Sequence, residues 1–205
     1  MAPRPKPDAI AEVAAFTELP PGKIAAVATY LEMLRPPTRT PPRAEFSYEL
    51  QLLAGDLPRY RALFAAVGGP WLWFSRLSMR DREVKAIIDH PDVDALACVV
   101  GGRDIGIAEL DWRRDGECEL AFFGLVPDVL GRGWGEVLIG DAIRRAFSRP
   151  VERLWLHTCT LDHPGALRFY MRSGFEPFRR ALEVADDPRL TGKLPRSAGA
   201  GVPIL

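Results

Sequence analysis

The chain has 205 residues, 47% hydrophobic and 26% charged, a balance that sustains one sizeable core and is short for two domains. Its 27 basic and 27 acidic residues cancel, which argues against nucleic acid or an anionic membrane surface as the overall partner. Cys98, Cys118 and Cys159 are odd in number and lack C-x-x-C spacing, so neither a disulfide framework nor a structural zinc site is indicated, and a reducing, cytoplasmic setting fits. Asp8 and Glu12 break up the apolar stretch around Ala9 to Phe16, so no signal peptide is read. No run approaches the roughly 18 apolar residues that span a bilayer.

Nine of the 19 prolines fall in the first 45 residues, which excludes one long helix or a central strand for that stretch taken as a whole. Between the proline clusters, Lys23 to Leu34 is apolar and β-branched enough for a strand or a short helix, and Arg35 to Arg43 reads as an extended linker. Leu57, Tyr60, Leu63, Phe64 and Val67 then recur at helical spacing up to Gly68-Gly69-Pro70. A second helix is expected from Ser78 or Asp81 to about His90, ended by Pro91. Strands follow at Ala95–Val100 and Ile105–Trp112 about a Gly-Gly turn, and the apolar run Cys118–Val126 suits a strand covered on both faces. A glycine turn and helix over Leu130–Phe147, a strand at Leu154–Cys159, a short helix at Pro164–Arg172 and a strand at Phe175–Leu182 complete the pattern. This order describes an α+β fold, an α/β sandwich around one mixed sheet. Residues 1–45 are expected to form an arm packed on the domain, residues 46–184 the domain, and residues 185–205 a tail that is mobile from Thr191 to Leu205. The arm and the tail offer surface for a homodimer.

The stretch Gly124 to Glu136 passes from a buried strand through a turn into a helix, where free N–H groups, the helix dipole and glycines suit an anion such as a pyrophosphate. The spacing does not match G-x-G-x-x-G, which would need glycine at Glu136, or a P-loop. It resembles instead the Q/R-x-x-G-x-G/A motif of the GCN5-related N-acetyltransferases, with Gly133 and Gly135 at the small positions and Leu130 where Gln or Arg is usual. Glu119 to Pro127 is similar to that family's fourth strand, and His163-x-x-Ala166-x-x-x-Tyr170 followed by Gly174-Phe175 is similar to its N-x-x-A-x-x-x-Y segment.

The resemblance implies a mixed sheet with two splayed parallel strands that admit acetyl-coenzyme A as co-substrate, with no metal. It implies coenzyme contacts from the main chain of Leu125 and Val126, from the loop Leu130, Gly131, Arg132, Gly133, Trp134, Gly135 and Glu136, and from His163. The acceptor implied is a primary amine of a small molecule or peptide. Glu119 would be the general base, and Tyr170 would protonate the departing thiolate. Bland readings stand beside these: Glu119 solvated or paired with Arg113 or Arg114, and Tyr170 filling space beside Leu167 and Met171. Trp71, Trp73 and Phe74 are candidates for an acceptor pocket, with Trp71 and Phe74 alternatively core residues at the sheet edge. Arg144, Arg145 and Arg149 read as a solvated helix face that could reach a ribose phosphate. His157, Cys159 and His163 form H-x-C-x-x-x-H without a fourth ligand, so burial is the simpler account. A coenzyme-binding sensor or interaction module without turnover is the alternative function.

Overall fold

The computed structural model describes residues 18–37 and 47–205. The remainder of the proline-rich arm, with most of the expected linker, lies outside the described residues. Seven strands form one sheet, β1 (Lys23–Met33), β2 (Glu49–Leu52), β3 (Val93–Val100), β4 (Arg103–Asp111), β5 (Glu117–Leu125), β6 (Arg153–Cys159) and β7 (Glu176–Asp186). The helices are α1 (Leu57–Gly68), α2 (Ser75–Ser78), α3 (Asp81–Ile88), α4 (Trp134–Ala146) and α5 (Ala166–Arg172). The sheet order is β2-β3-β4-β5-β6-β1-β7, antiparallel except where β5 runs parallel to β6. None of the described helices is long and apolar enough to cross a membrane.

The local signals act as expected along most of the chain. Asp56 caps α1 by accepting the Arg59 N–H at 3.1 Å, and Pro58 stands in its first turn, where a missing N–H costs nothing. Helices α1 to α3 cover one face of the sheet, and α4 and α5 cover the other. Adjacent residues of β5 show the division: Phe122 packs on Phe64 of α1, and Phe123 stacks on Phe169 of α5.

The placement of the chain ends corrects the sequence reading. Lys23–Met33 is not applied to the outside of a domain that begins at residue 46. It is an interior strand, paired with β6 on one side and β7 on the other. The prolines permit this because they flank β1 and none lies within its eleven residues. The tail is likewise packed. Leu194 and Ala198 are buried against Ile24 and Leu72, and the N–H of Gly22 donates to the carbonyl of Leu205 at 3.1 Å.

Arg189 organises this segment. Its guanidinium holds Asp187 through two nitrogens and donates to the carbonyls of Ala198 and Val202, with both side chains only 2% exposed. Removing one partner of such a pair strands the other as a buried charge. Arg189→Met is therefore expected to lower the unfolding free energy by about 3 kcal/mol, measured by urea denaturation.

Candidate active site

Strands β5 and β6 pair at only three positions, Glu117 with Arg153, Cys118 with Leu154 and Glu119 with Trp155. Beyond that point both strands continue, to Leu125 and to Cys159, without pairing to each other. Two local features turn β5 away. Its register against β4 slips between Glu109 and Leu110, so Ala121 is left unmatched as a bulge. Gly124 and Gly106 also allow close packing, since a Cβ on Gly124 would lie 2.5 Å from Val67 and one on Gly106 would lie 2.6 Å from Leu125.

The open end of the gap is braced by Trp73. Its Nε1–H donates to Asp162 at 2.9 Å, and the other oxygen of Asp162 accepts from the Thr158 hydroxyl at 2.7 Å and the Cys159 N–H at 2.8 Å. The ring packs against Phe64 and Phe122. Trp73 is thus a strut between the α1 side and the β6–α5 turn. Asp162 is the residue that sequence reasoning missed here, and its only signal was its place just before His163.

The gap holds a cavity of about 390 Å³ whose lining includes Leu125, Leu130, His163 and Tyr170 together with Trp71, Trp73 and Phe74. Trp71 meets the His163 ring edge-on at 5.1 Å, and His163 Nδ1 accepts the Gly165 N–H at 3.0 Å. Leu72 between the two tryptophans is buried with φ of 59°, a left-handed conformation strained for leucine. The tail presses on it: a Cβ on Gly199 would lie 2.6 Å from Leu72.

Val126 does not line this cavity, and its N–H donates to the Ile105 carbonyl at 2.9 Å. In an antiparallel ladder the direction of hydrogen bonding alternates, so the next residue aimed at β4 is Gly124, and the main chains of Leu125 and Phe123 face the gap. Beside Leu125 it is therefore the main chain of Phe123 that faces the gap, while that of Val126 is engaged with β4.

The glycine turn leads directly into α4. Gly131 and Gly133 have φ of 73° and 85°, and Gly133 is the residue at the helix N-cap. The first-turn N–H groups of Gly135 and Glu136 have no carbonyl behind them, as at any helix start. A Cβ on Gly135 would stand 3.3 Å from the Phe169 ring, so the small residue lets α4 and α5 approach. Arg132 and Glu136 are exposed. Leu130 lines the cavity with an aliphatic side chain where a polar one was usual.

Tyr170 is buried among Phe123, Phe169 and Phe175, and its hydroxyl has no hydrogen-bond partner among the described residues. Burial, with the nearby Asp162 charge, raises its pKa above the ordinary phenol value and keeps it protonated at neutral pH. Glu119 lies apart from Tyr170, in a smaller cavity of about 270 Å³ with Asp111, Arg113, Arg114, Glu117 and Trp155. The arginines that were to neutralise it are used elsewhere: Arg113 pairs with Asp111 at 2.5 Å, and Arg114 reaches Glu117 at 4.0 Å. Burial first, then the Asp111 charge, push the Glu119 carboxyl up to about 7.

A buried triad stands on the same face of β4. Tyr60 donates to Glu109 at 2.5 Å, and Arg76 donates to the other oxygen of Glu109 at 2.6 Å. The remaining candidates change character. Arg144, Arg145 and Arg149 are paired with Asp141, Asp94 and Asp92, which corrects their reading as a merely solvated face. His157 is exposed and packs on the Tyr30 ring, so burial does not explain it. Burial pushes the Cys159 thiol up to about 11, opposite to what a thiolate nucleophile needs.

The profile described as the Acetyltransferase (GNAT) family matches residues 61–175, more than half of the chain. The chain belongs to the GNAT acetyltransferase family. Among solved structures, a functionally unknown conserved protein from Staphylococcus epidermidis is similar with a TM-score of 0.59 at 16% identity, over 81% of this chain and 64% of that one. A GCN5-related N-acetyltransferase from Sphaerobacter thermophilus gives 0.53 at 20% identity, over 82% and 52%. The PaiA N-acetyltransferase from Thermoplasma acidophilum, in complex with coenzyme A, gives 0.52 at 17% identity, over 64% and 91%. At these identities the likeness is one of fold. This chain spans about two thirds or less of the length of the first two of these structures. No curated protein matches the chain.

The carboxyl of Glu119 supplies a prediction. A folded-state value near 7 against about 4.5 when unfolded means that the proton stabilises the folded form, fully below about 4.5 and no longer once the pH has risen through about 7. Urea unfolding from pH 4 to 8 is expected to show a decline over that window that Glu119→Gln lacks.

Proposed function

We propose that the protein is an N-acetyltransferase that moves an acetyl group from acetyl-coenzyme A to a primary amine of a small molecule or peptide by direct attack on the thioester. The observation that carries this reading is the parting of β5 from β6 beyond Glu119 and Trp155, beside the glycine-led start of α4. The fit of the chain to the coenzyme rests on two groups of unsatisfied donors. The N-terminus of α4 suits the pyrophosphate, with open space at Gly131 and with Gly131 and Gly133 in left-handed conformations that present the main chain to it. The main chains of Leu125 and Phe123 suit the amides of the pantetheine arm, and a donor near the thioester carbonyl gains strength as negative charge develops there.

Within this reading the thioester supplies the acetyl group, and the protein's residues manage two protons. Glu119 accepts a proton from the attacking ammonium, and a carboxyl titrating near 7 is matched to that task at neutral pH. Tyr170 holds a proton for the leaving thiolate, whose ordinary pKa of about 8.5 makes it an adequate acceptor. The two residues line different cavities, Glu119 the smaller and Tyr170 the larger. No acyl-enzyme is needed, since the raised Cys159 thiol is a poor nucleophile. Three free cysteines support a reducing, cytoplasmic setting.

Calorimetric titration with acetyl-coenzyme A and thiol release over an amine panel test the reading. Gly133→Val is expected to weaken acetyl-coenzyme A binding at least about tenfold, because φ of 85° is closed to a β-branched residue. Glu119→Gln is expected to lower kcat/KM by about 10²–10³, and Tyr170→Phe by about 10–10² with little change in binding. For the unaltered enzyme kcat/KM should climb with pH and level off above about 7. Binding without thiol release from any amine would favour a coenzyme-binding sensor, and absence of binding would overturn both.

A further inference from the structure

The smaller cavity carries information about the acceptor, because its polar groups divide into those with partners and those without. Asp111 is held by Arg113 through Nε and a terminal nitrogen. Glu117 accepts from Arg153 with one oxygen at 2.5 Å, while its other oxygen is buried without a hydrogen-bond partner among the described residues, 4.0 Å from Arg114. The Glu119 carboxyl has none among the described residues. Trp155 is 8% exposed, and its Nε1–H is a buried donor without an acceptor. Arg114 lies over the Trp155 ring at 5.6 Å with its side chain 73% exposed, tied only by the 4.0 Å contact to Glu117. It can swing aside without breaking a strong bond.

The unmet capacity is therefore two carboxylate acceptors, one fixed N–H donor and one loosely held cation, in about 270 Å³ at the point where β5 and β6 part. Buried polar groups without partners are costly, and a ligand that satisfies them gains what the empty site lacks. A simple alkylamine answers the carboxylates and leaves the indole N–H unpaired. We propose that this cavity selects an acceptor whose primary ammonium is adjacent to a carbonyl or carboxylate oxygen, that is, a free α-amino acid or the N-terminus of a peptide. The ammonium lies against Glu117 and Glu119, and the oxygen accepts from Trp155 Nε1–H, with Arg114 closing on a carboxylate. The proposal rests on the acetyl-transfer reading for its purpose, and its test does not need turnover.

The test is a set of NMR titrations of the full chain with alanine, alaninamide and ethylamine. The readout is the Trp155 indole N–H resonance, identified by its loss in Trp155→Phe. Saturable shifts of that resonance are expected for alanine and alaninamide, with Kd values at least about tenfold below that of ethylamine. Glu117→Gln, which keeps the contact to Arg153, should weaken binding of all three. Arg114→Gln should weaken alanine alone if the source is a free amino acid, and alaninamide binding tighter than alanine would identify a peptide N-terminus. Equal Kd values for alanine and ethylamine, or no movement of the Trp155 resonance, would overturn the proposal. That result would leave the acetyl-coenzyme A titration to decide the acetyl-transfer reading independently.

Discussion

The structure depends on a parallel strand pair that is kept short. Continued pairing of β5 with β6 would satisfy their backbone groups and fill the centre of the molecule, as in an ordinary mixed sheet. The bulge at Ala121 and the close packing allowed by Gly124 and Gly106 tilt β5 away after Glu119, and Trp73 bound to Asp162 braces the far end. The result is backbone polarity turned toward a cavity inside the sheet, next to the positive end of α4. The cost of leaving strand edges unpaired is met by the packing around them, and those edges become the means of binding.

Charge pairing organises the other half of the site. Arg76 is committed to the buried Glu109, Arg113 to Asp111, and Arg153 to Glu32 and Glu117. These commitments leave Glu119 without a salt bridge among the described residues, so burial and the Asp111 charge, set against the weaker pull of Arg114 and Arg76, raise its pKa. A sheet position rich in arginine would ordinarily disarm a carboxylate. Here Arg76, Arg113 and Arg153 have better placed partners and Arg114 is exposed and loosely held, and the group that remains is the one poised to exchange a proton near neutral pH.

Much of this was legible in the sequence. The helix α1, the meander β3 to β5, the glycine turn before α4 and the Tyr170 helix followed from hydrophobic period, caps and glycines, all of which act over a few residues. The interior position of β1 and the packed tail were not legible. Pairing of Lys23–Met33 with β6 and β7 joins residues more than a hundred positions apart, and composition near the chain ends says nothing about such partners. Arg189 likewise looks like one more basic residue in a polar tail until its carbonyl acceptors are seen around it. The division of labour among the aromatic residues was hidden as well. Trp73 is a strut because Asp162 meets its indole, whereas Trp155, which the sequence did not single out, carries the unpartnered donor.

What the sequence by itself determined is the order of the main elements from α1 onward, the family and the identity of several residues around the gap, though not the strands β1 and β2 or Asp162. Those are properties of local pattern and residue type. Only the tertiary structure decided which main chains face the gap, since strand register engages that of Val126 with β4 and turns that of Phe123 to the gap. It also decided that Glu119 stands apart from Tyr170: Glu119 lies with residues of β4, β5 and β6 where the parallel pairing ends, and Tyr170 on α5 lines the larger cavity beyond it. The protonation of Glu119 belongs to the same level: it is set by burial and by which arginines are already engaged, and both are facts about neighbours brought together by folding.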